Sequence, residues 1–248
     1  MPGTIYRQQL ADRCAPIDLG FWRKPEGIPV PDDELQFLLV PDRVEAAAIA
    51  DVAAQVHRYQ ARHADSPELI TQALIVTMGG LLPGALLYDH LVHGRAGPAA
   101  MAFGTVGVSL YKGPGERYEN PRVQHDLSIP VEGKTVLLID DLGDTGGTLK
   151  FLDSYLEQRG AHQALNLVLY MKPAARTNFR ADFCFGEAAQ DTWIITPREL
   201  VETLVKRVPI WRARGASEVE CRRRLVDLIG YPESIVDQYL PGAFAAES

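Results

Sequence analysis

Apolar runs and polar punctuation alternate along the middle of the chain with two different periods. From Asp42, "DRVEAAAIADVAAQVHRYQARH" repeats its alanines and valines every three to four residues behind an N-cap residue, which predicts a helix. "ALIVT" is short and wholly apolar and predicts a buried strand, with "LPGALLYDHL" as the helix that follows. "AMAFGTVGVSLY" is strand-like, "KTVLLIDD" predicts a second strong strand, and "TLKFLDSYLEQRG" a helix stopped by glycine. "ALNLVLYMK" adds another strand. Strands alternating with helices predict an α/β fold, a parallel twisted sheet with helices on both faces.

The ends read differently. Residues 1–41 are rich in proline and turn signals and predict an irregular N-terminal extension with one short strand at "LQFLLV". Residues 42–197 carry the alternating pattern, and residues 198–248 predict a helical C-terminal extension. Its basic segment "CRRRL" reads as a solvated helix face. "RADFCFGEAAQDTWIITP" predicts short strands and turns. Between Lys112 and Asp126, "KGPGERYENPRVQHD" is too polar for an element and too long for a tight turn, so it predicts a loop of the kind that forms lids.

Composition narrows the classes. Of 248 residues, 46% are hydrophobic and 23% charged, which suits a folded globular protein. A net charge of -7 argues against a general nucleic-acid-binding surface, so no nucleic-acid partner is expected. Cys14, Cys184 and Cys221 are too scattered for a zinc site or a disulfide framework, so a reducing, cytoplasmic setting is the default. "MPGTIYRQQL" has no signal-peptide pattern, and the most apolar stretch is broken by glycines and proline, so no membrane partner is expected.

The chemistry concentrates in "VLLIDDLGDTGGTLK". In open α/β sheets ligands bind beyond the carboxyl ends of the strands. "VLLIDD" puts Asp140 and Asp141 at such an end, and Asp144, Thr145, Gly146, Gly147 and Thr148 lead from it into a helix. Two glycines allow close approach of backbone to an anion, and a helix N-terminus offers unpaired N–H groups and a favourable dipole. The loop therefore suits a phosphate, while the carboxylates suit sugar hydroxyls or a divalent cation. A phosphorylated sugar with Mg²⁺ is the inferred ligand. Neither GxGxxG nor a P-loop is present.

"VLLIDDLGDTGGTL" resembles the signature of the type I phosphoribosyltransferases. "IVTMGGLLPGALL" (Ile75 to Leu87), "YMKPAAR" (Tyr170 to Arg176) and "QDTWI" (Gln190 to Ile194) narrow the resemblance to the bacterial xanthine-guanine branch. The likeness runs from about Asp42 to Pro197. It implies a core sheet with a small hood region, and assembly as a homodimer or homotetramer. It implies binding of 5-phosphoribosyl-1-pyrophosphate (PRPP), Mg²⁺ and a purine or purine-like base, with transfer of phosphoribose to N9 of guanine, hypoxanthine or xanthine. Asp140 and Asp141 would hold the ribose hydroxyls, with Asp141 also near the metal. Asp144 to Thr148 would cradle the 5′-phosphate, and Asp144 would serve N7 as catalytic base. Met78, Gly79 and Gly80 would form the pyrophosphate loop. Lys172 would donate to the 6-oxo group, Trp193 would stack on the base, and the Ile194 backbone would meet the 2-substituent edge. Tyr111, Lys112, Arg117 and Arg122 would belong to the mobile lid. One residue departs from the family pattern: Met78 stands where the family carries arginine. Two alternatives stand beside this reading, a guanine-like 7-deazapurine acceptor and a non-catalytic ligand-sensing regulator on the same fold.

Overall fold

The computed structural model describes residues 16–94, 101–113 and 116–246, with the side chains of residues 110–120 outside that description. In chain order come helix α1 (Leu19–Arg23), strands β1 (Ile28–Pro29) and β2 (Gln36–Leu39), helix α2 (Asp42–Arg62), β3 (Ile70–Thr77) and α3 (Leu81–Tyr88), prolonged by a π-helical turn (Asp89–His93). Then follow β4 (Ala102–Gly113), β5 (Glu116–His125), β6 (Thr135–Gly143), α4 (Gly147–Gln158), β7 (Gln163–Met171), a 3₁₀ turn (Pro173–Thr177), β8 (Phe183–Glu187) and β9 (Thr192–Ile195). Helices α5 (Leu200–Ala213), α6 (Glu218–Arg223) and α7 (Glu233–Ala245) complete the chain, with a π-helical segment (Arg224–Ile229) before the last. Among the described residues no helix is long and apolar enough to cross a membrane.

Two compact units divide the chain: Ala46–Glu187, and Met1–Glu45 with Ala188–Ser248. The first holds a six-stranded sheet in the order β5-β4-β3-β6-β7-β8. All its neighbouring strands run parallel except β5, which returns antiparallel along β4 at the edge. The central strands are covered on both faces, which is why they read as unbroken apolar runs rather than alternating ones. Val136 to Ile139 of β6 are fully buried. On one face Leu149, Leu152 and Leu156 of α4 pack with Leu74, Val76, Val106, Leu138 and Val168. On the other, α3 passes so close that a Cβ on Gly84 would collide with Ile75.

The loop expected from Lys112 to Asp126 is instead largely strand: β4 reaches Gly113 and β5 covers Glu116–His125. An edge strand needs only one paired side and no apolar face, so its charged, proline-bearing sequence hides it from pattern reading. Pro121 is tolerated because an edge strand has an unpaired side. Of the expected lid residues, Tyr111 and Arg117 are register partners across this hairpin. The side chains of Tyr111, Lys112 and Arg117 lie outside the described residues.

The second unit contains the three-stranded sheet β1-β2-β9. β2 runs parallel to β9, pairing Phe37 with Trp193 and Leu38 with Ile194. The N-terminal segment, expected to be mostly irregular, therefore supplies two strands to the sheet that carries Trp193. It also supplies Asp33, whose side chain is fully buried against Arg207 of α5 and accepts the Trp211 indole N–H at 2.5 Å. A buried carboxylate persists only with such partners.

Candidate active site

Everything expected of the sugar-phosphate site in the first unit falls at the carboxyl ends of three adjacent strands. β6 carries Asp140 and Asp141 near its end. Asp140 is buried and its carboxylate accepts the Asp141 backbone N–H at 3.0 Å, which fixes the orientation of the Asp140 side chain. The turn after β3 lies directly against them. A Cβ on Gly79 would stand 2.5 Å from both an Asp140 and an Asp141 carboxylate oxygen, so only bare backbone fits. A Cβ on Gly80 would collide with the Ile139 carbonyl. The Gly80 N–H instead bonds back to the Val76 carbonyl at 2.8 Å, and the Thr77–Met78 peptide is cis. Met78 itself is 71% exposed and packs under nothing.

The loop into α4 is held from behind. Gly146 has φ of 75°, a left-handed conformation that favours glycine, and any Cβ there would collide with the Phe179 ring. The Asn178 amide donates to the Thr145 carbonyl at 2.6 Å. Helix α4 starts at Gly147 without a side-chain cap, so its first-turn N–H groups face outward beside Thr145 and Thr148. This is the construction that binds an anion.

Lys172 directly follows β7. Its backbone N–H donates to the Gly143 carbonyl at 2.9 Å, and its largely buried side chain ends 2.9 Å from an Asp144 carboxylate oxygen. Asp144 keeps about half its surface open. A cation and a carboxylate side by side at a strand end, one buried and one open, form a matched donor and acceptor. Asn178 and Phe179, which brace this loop, carried no signal in the sequence; they sit past a 3₁₀ turn whose path the local pattern does not reveal.

The first unit thus brings together Met78–Gly80, Asp140, Asp141, Asp144–Thr148 and Lys172. Trp193 and Ile194 belong to the other unit. There Ile194 is buried, and Trp193 is half-buried with its indole N–H on the Thr203 hydroxyl at 2.8 Å. The Lys206 ammonium and Arg207 guanidinium stand 5.8 and 6.0 Å from its ring centre. Both lie within cation–π range. Arg122 of β5 stands opposite Ser109 of β4.

Among the described residues no cluster of three or more His, Cys, Asp or Glu forms a metal cage. Mg²⁺ does not need one, since it is held by one or two carboxylates with substrate oxygens and water. Asp140 and Asp141 fit that donor set. Far from the loop, at the other end of α4, Asp126 accepts from the Tyr155 hydroxyl at 2.6 Å and from Arg159 at 3.0 Å. The Tyr155 hydroxyl, the Leu127 N–H and Arg159 together lower its carboxyl to about 2.

The model of the phosphoribosyl transferase domain matches residues 42–201. The chain belongs to the phosphoribosyltransferase family. Within that family it lies near the bacterial xanthine-guanine enzymes. It is 31% identical over 127 residues to a xanthine-guanine phosphoribosyltransferase of Idiomarina loihiensis, covering 51% of this chain and 70% of that one. It is 32% identical over 130 residues to one from Nitratidesulfovibrio vulgaris, covering 50% and 66%. The chain thus spans about two-thirds of these relatives' length, and they about half of its own. A purine phosphoribosyltransferase structure from Pyrococcus horikoshii shares the fold, with a TM-score of 0.51 and 23% identity over 65% of this chain and 92% of that one.

Proposed function

We propose that this phosphoribosyltransferase transfers 5-phosphoribose from PRPP to N9 of a 6-oxopurine (guanine, hypoxanthine or xanthine) and releases pyrophosphate. The observation that carries the reading is the Lys172–Asp144 pair, 2.9 Å apart at the ends of β6 and β7. O6 and N7 are neighbours on one edge of a 6-oxopurine, one an acceptor and the other able to carry a proton. An ammonium and a carboxylate in contact present the complementary edge. Adenine puts an amino donor where Lys172 needs an acceptor.

The remaining parts divide the substrate between them. Asp140 and Asp141 hold the ribose hydroxyls, and Thr145–Thr148 with the α4 N-terminus hold the 5′-phosphate. Gly79 and Gly80 offer backbone to the pyrophosphate. Asp141 and Asp140 would hold Mg²⁺, which would supply charge neutralisation for the leaving pyrophosphate. Asp144 takes the N7 proton as N9 attacks the anomeric carbon, and Lys172 holds the carboxylate in place until the base arrives. The test is direct: PRPP, Mg²⁺ and guanine or hypoxanthine should yield the nucleoside 5′-monophosphate and pyrophosphate. No nucleotide from any of the three bases would reject the reading.

A further inference from the structure

The replacement of the family arginine by Met78 leaves the pyrophosphate loop without a side-chain cation, and the edge strand β5, separated from β3 by β4, offers a donor. Thr77, which starts that loop, is in register with Gly107 of β4, and Gly107 is in register with His125 of β5. Two features aim the imidazole at this row. First, Gly107 is a mid-strand glycine because the His125 ring occupies the place of its side chain; a Cβ there would collide with Nδ1. Second, the β4–β5 register shifts between Gly107 and Val108, so that Val123 pairs with Val108 and His125 with Gly107. Without the extra residue at Gln124, positions 123 and 125 would share a face, because side chains alternate with period two. The bulge separates them. Val108 packs toward the α4-side core, with Val76 and Val106. Thr77, Gly107 and His125 turn to the opposite face, where Ile75 meets α3. That is the face on which the loop runs from Thr77 into α3. Strands stand about 4.8 Å apart, so an imidazole lying over Gly107 borders the Thr77 side of the loop.

We infer that His125, aimed by the Gln124 bulge and given room by Gly107, is a pyrophosphate-side binding residue that donates a ring N–H to the diphosphate, on the far side from Asp140 and Asp141. Arg122, opposite Ser109 two positions further along β4, lies on the same face. The inference rests on the reading of this site as a PRPP site, and the experiment separates the two. Affinities of pyrophosphate and of a purine nucleoside 5′-monophosphate, which is held at the 5′-phosphate loop, are measured by calorimetry with Mg²⁺ for wild type, His125→Ala and His125→Gln, with melting temperatures alongside. The expected result is about tenfold weaker pyrophosphate binding in His125→Ala, partial recovery in His125→Gln, unchanged nucleotide binding and unchanged melting. Equal pyrophosphate affinity in wild type and His125→Ala, or an equal loss for both ligands, overturns the inference while leaving the PRPP reading intact. Wild-type protein that binds neither ligand overturns both.

Discussion

Two adjacent strand ends, assigned to one ligand in the proposed function, are constructed in opposite ways. The end of β6 is rich in side-chain chemistry and braced from behind: Asp144 by Lys172, the Thr145 carbonyl by Asn178 and Gly146 by Phe179. The end of β3 is bare. Its glycines are pressed against Asp140, Asp141 and Ile139, and its one large side chain, Met78, points into solvent. The difference teaches where substitution is tolerated. A loop that works through backbone can lose a side chain without losing its shape, whereas a loop that works through oriented carboxylates cannot.

The largest effect should come from the braced end. Asp144→Asn should keep the half-exposed loop folded but remove the proposed base, and turnover on a natural purine should fall about 10²–10⁴-fold. Steady-state kinetics with guanine checks this, and near-normal turnover would break the assignment. On a 7-deazapurine, which has no N7, the loss should be small.

Next in size is a test of the bare end. Gly79→Ala forces a methyl onto both carboxylates, and overpacking of this kind costs about 1–3 kcal/mol. KM for PRPP should rise about tenfold or more while the affinity for free base stays level. A silent methyl at Gly79 would show that the two loops are not tightly apposed.

Gain of a side chain sharpens the same contrast. Met78→Arg should tighten pyrophosphate binding by a charge-assisted contact of about 1.5–3 kcal/mol. Because Met78 is exposed, the melting temperature should not move. A destabilised variant with no tighter binding would show that the loop cannot use the cation.

The smallest effect concerns the far end of α4. The Asp126 carboxyl is lowered from 3.8 to about 2 by Tyr155, Leu127 and Arg159. A depressed carboxylate contributes stability that is fully present above its unfolded value and lost as pH falls through its folded one. The Asp126–Tyr155 contact should therefore hold at pH 5 and weaken from about pH 4 to 2. Asp126→Asn should flatten that part of the acid-unfolding curve.

Sequence pattern carried the parallel core of the sheet and the position of the acidic cluster before a helix, because both depend on local order. The apolar runs mark strands covered on both faces, and the acidic cluster with its glycines marks a strand end turning into a helix. What stayed hidden depends on non-local partners. β5 is polar and proline-bearing, and only its pairing with β4 makes it a strand. β2 finds β9 across more than a hundred and fifty residues, as the pairing of Gln36 with Thr192 shows. Asp33 reads as a turn residue until Arg207 and Trp211 of α5 close over it. Asn178 and Phe179 brace the phosphate loop from a segment with no periodicity of its own.

In the proposed function the Lys172–Asp144 pair reads the O6–N7 edge of the base. The measurement that tests this most directly is the ratio of kcat/KM for guanine to that for adenine, in wild type and in Lys172→Ala. Wild type should favour guanine strongly, and Lys172→Ala should lose about 1–3 kcal/mol of that preference, or roughly one to two orders of magnitude in the ratio. Comparable kcat/KM for adenine in wild type, or a preference unmoved in Lys172→Ala, would contradict the account.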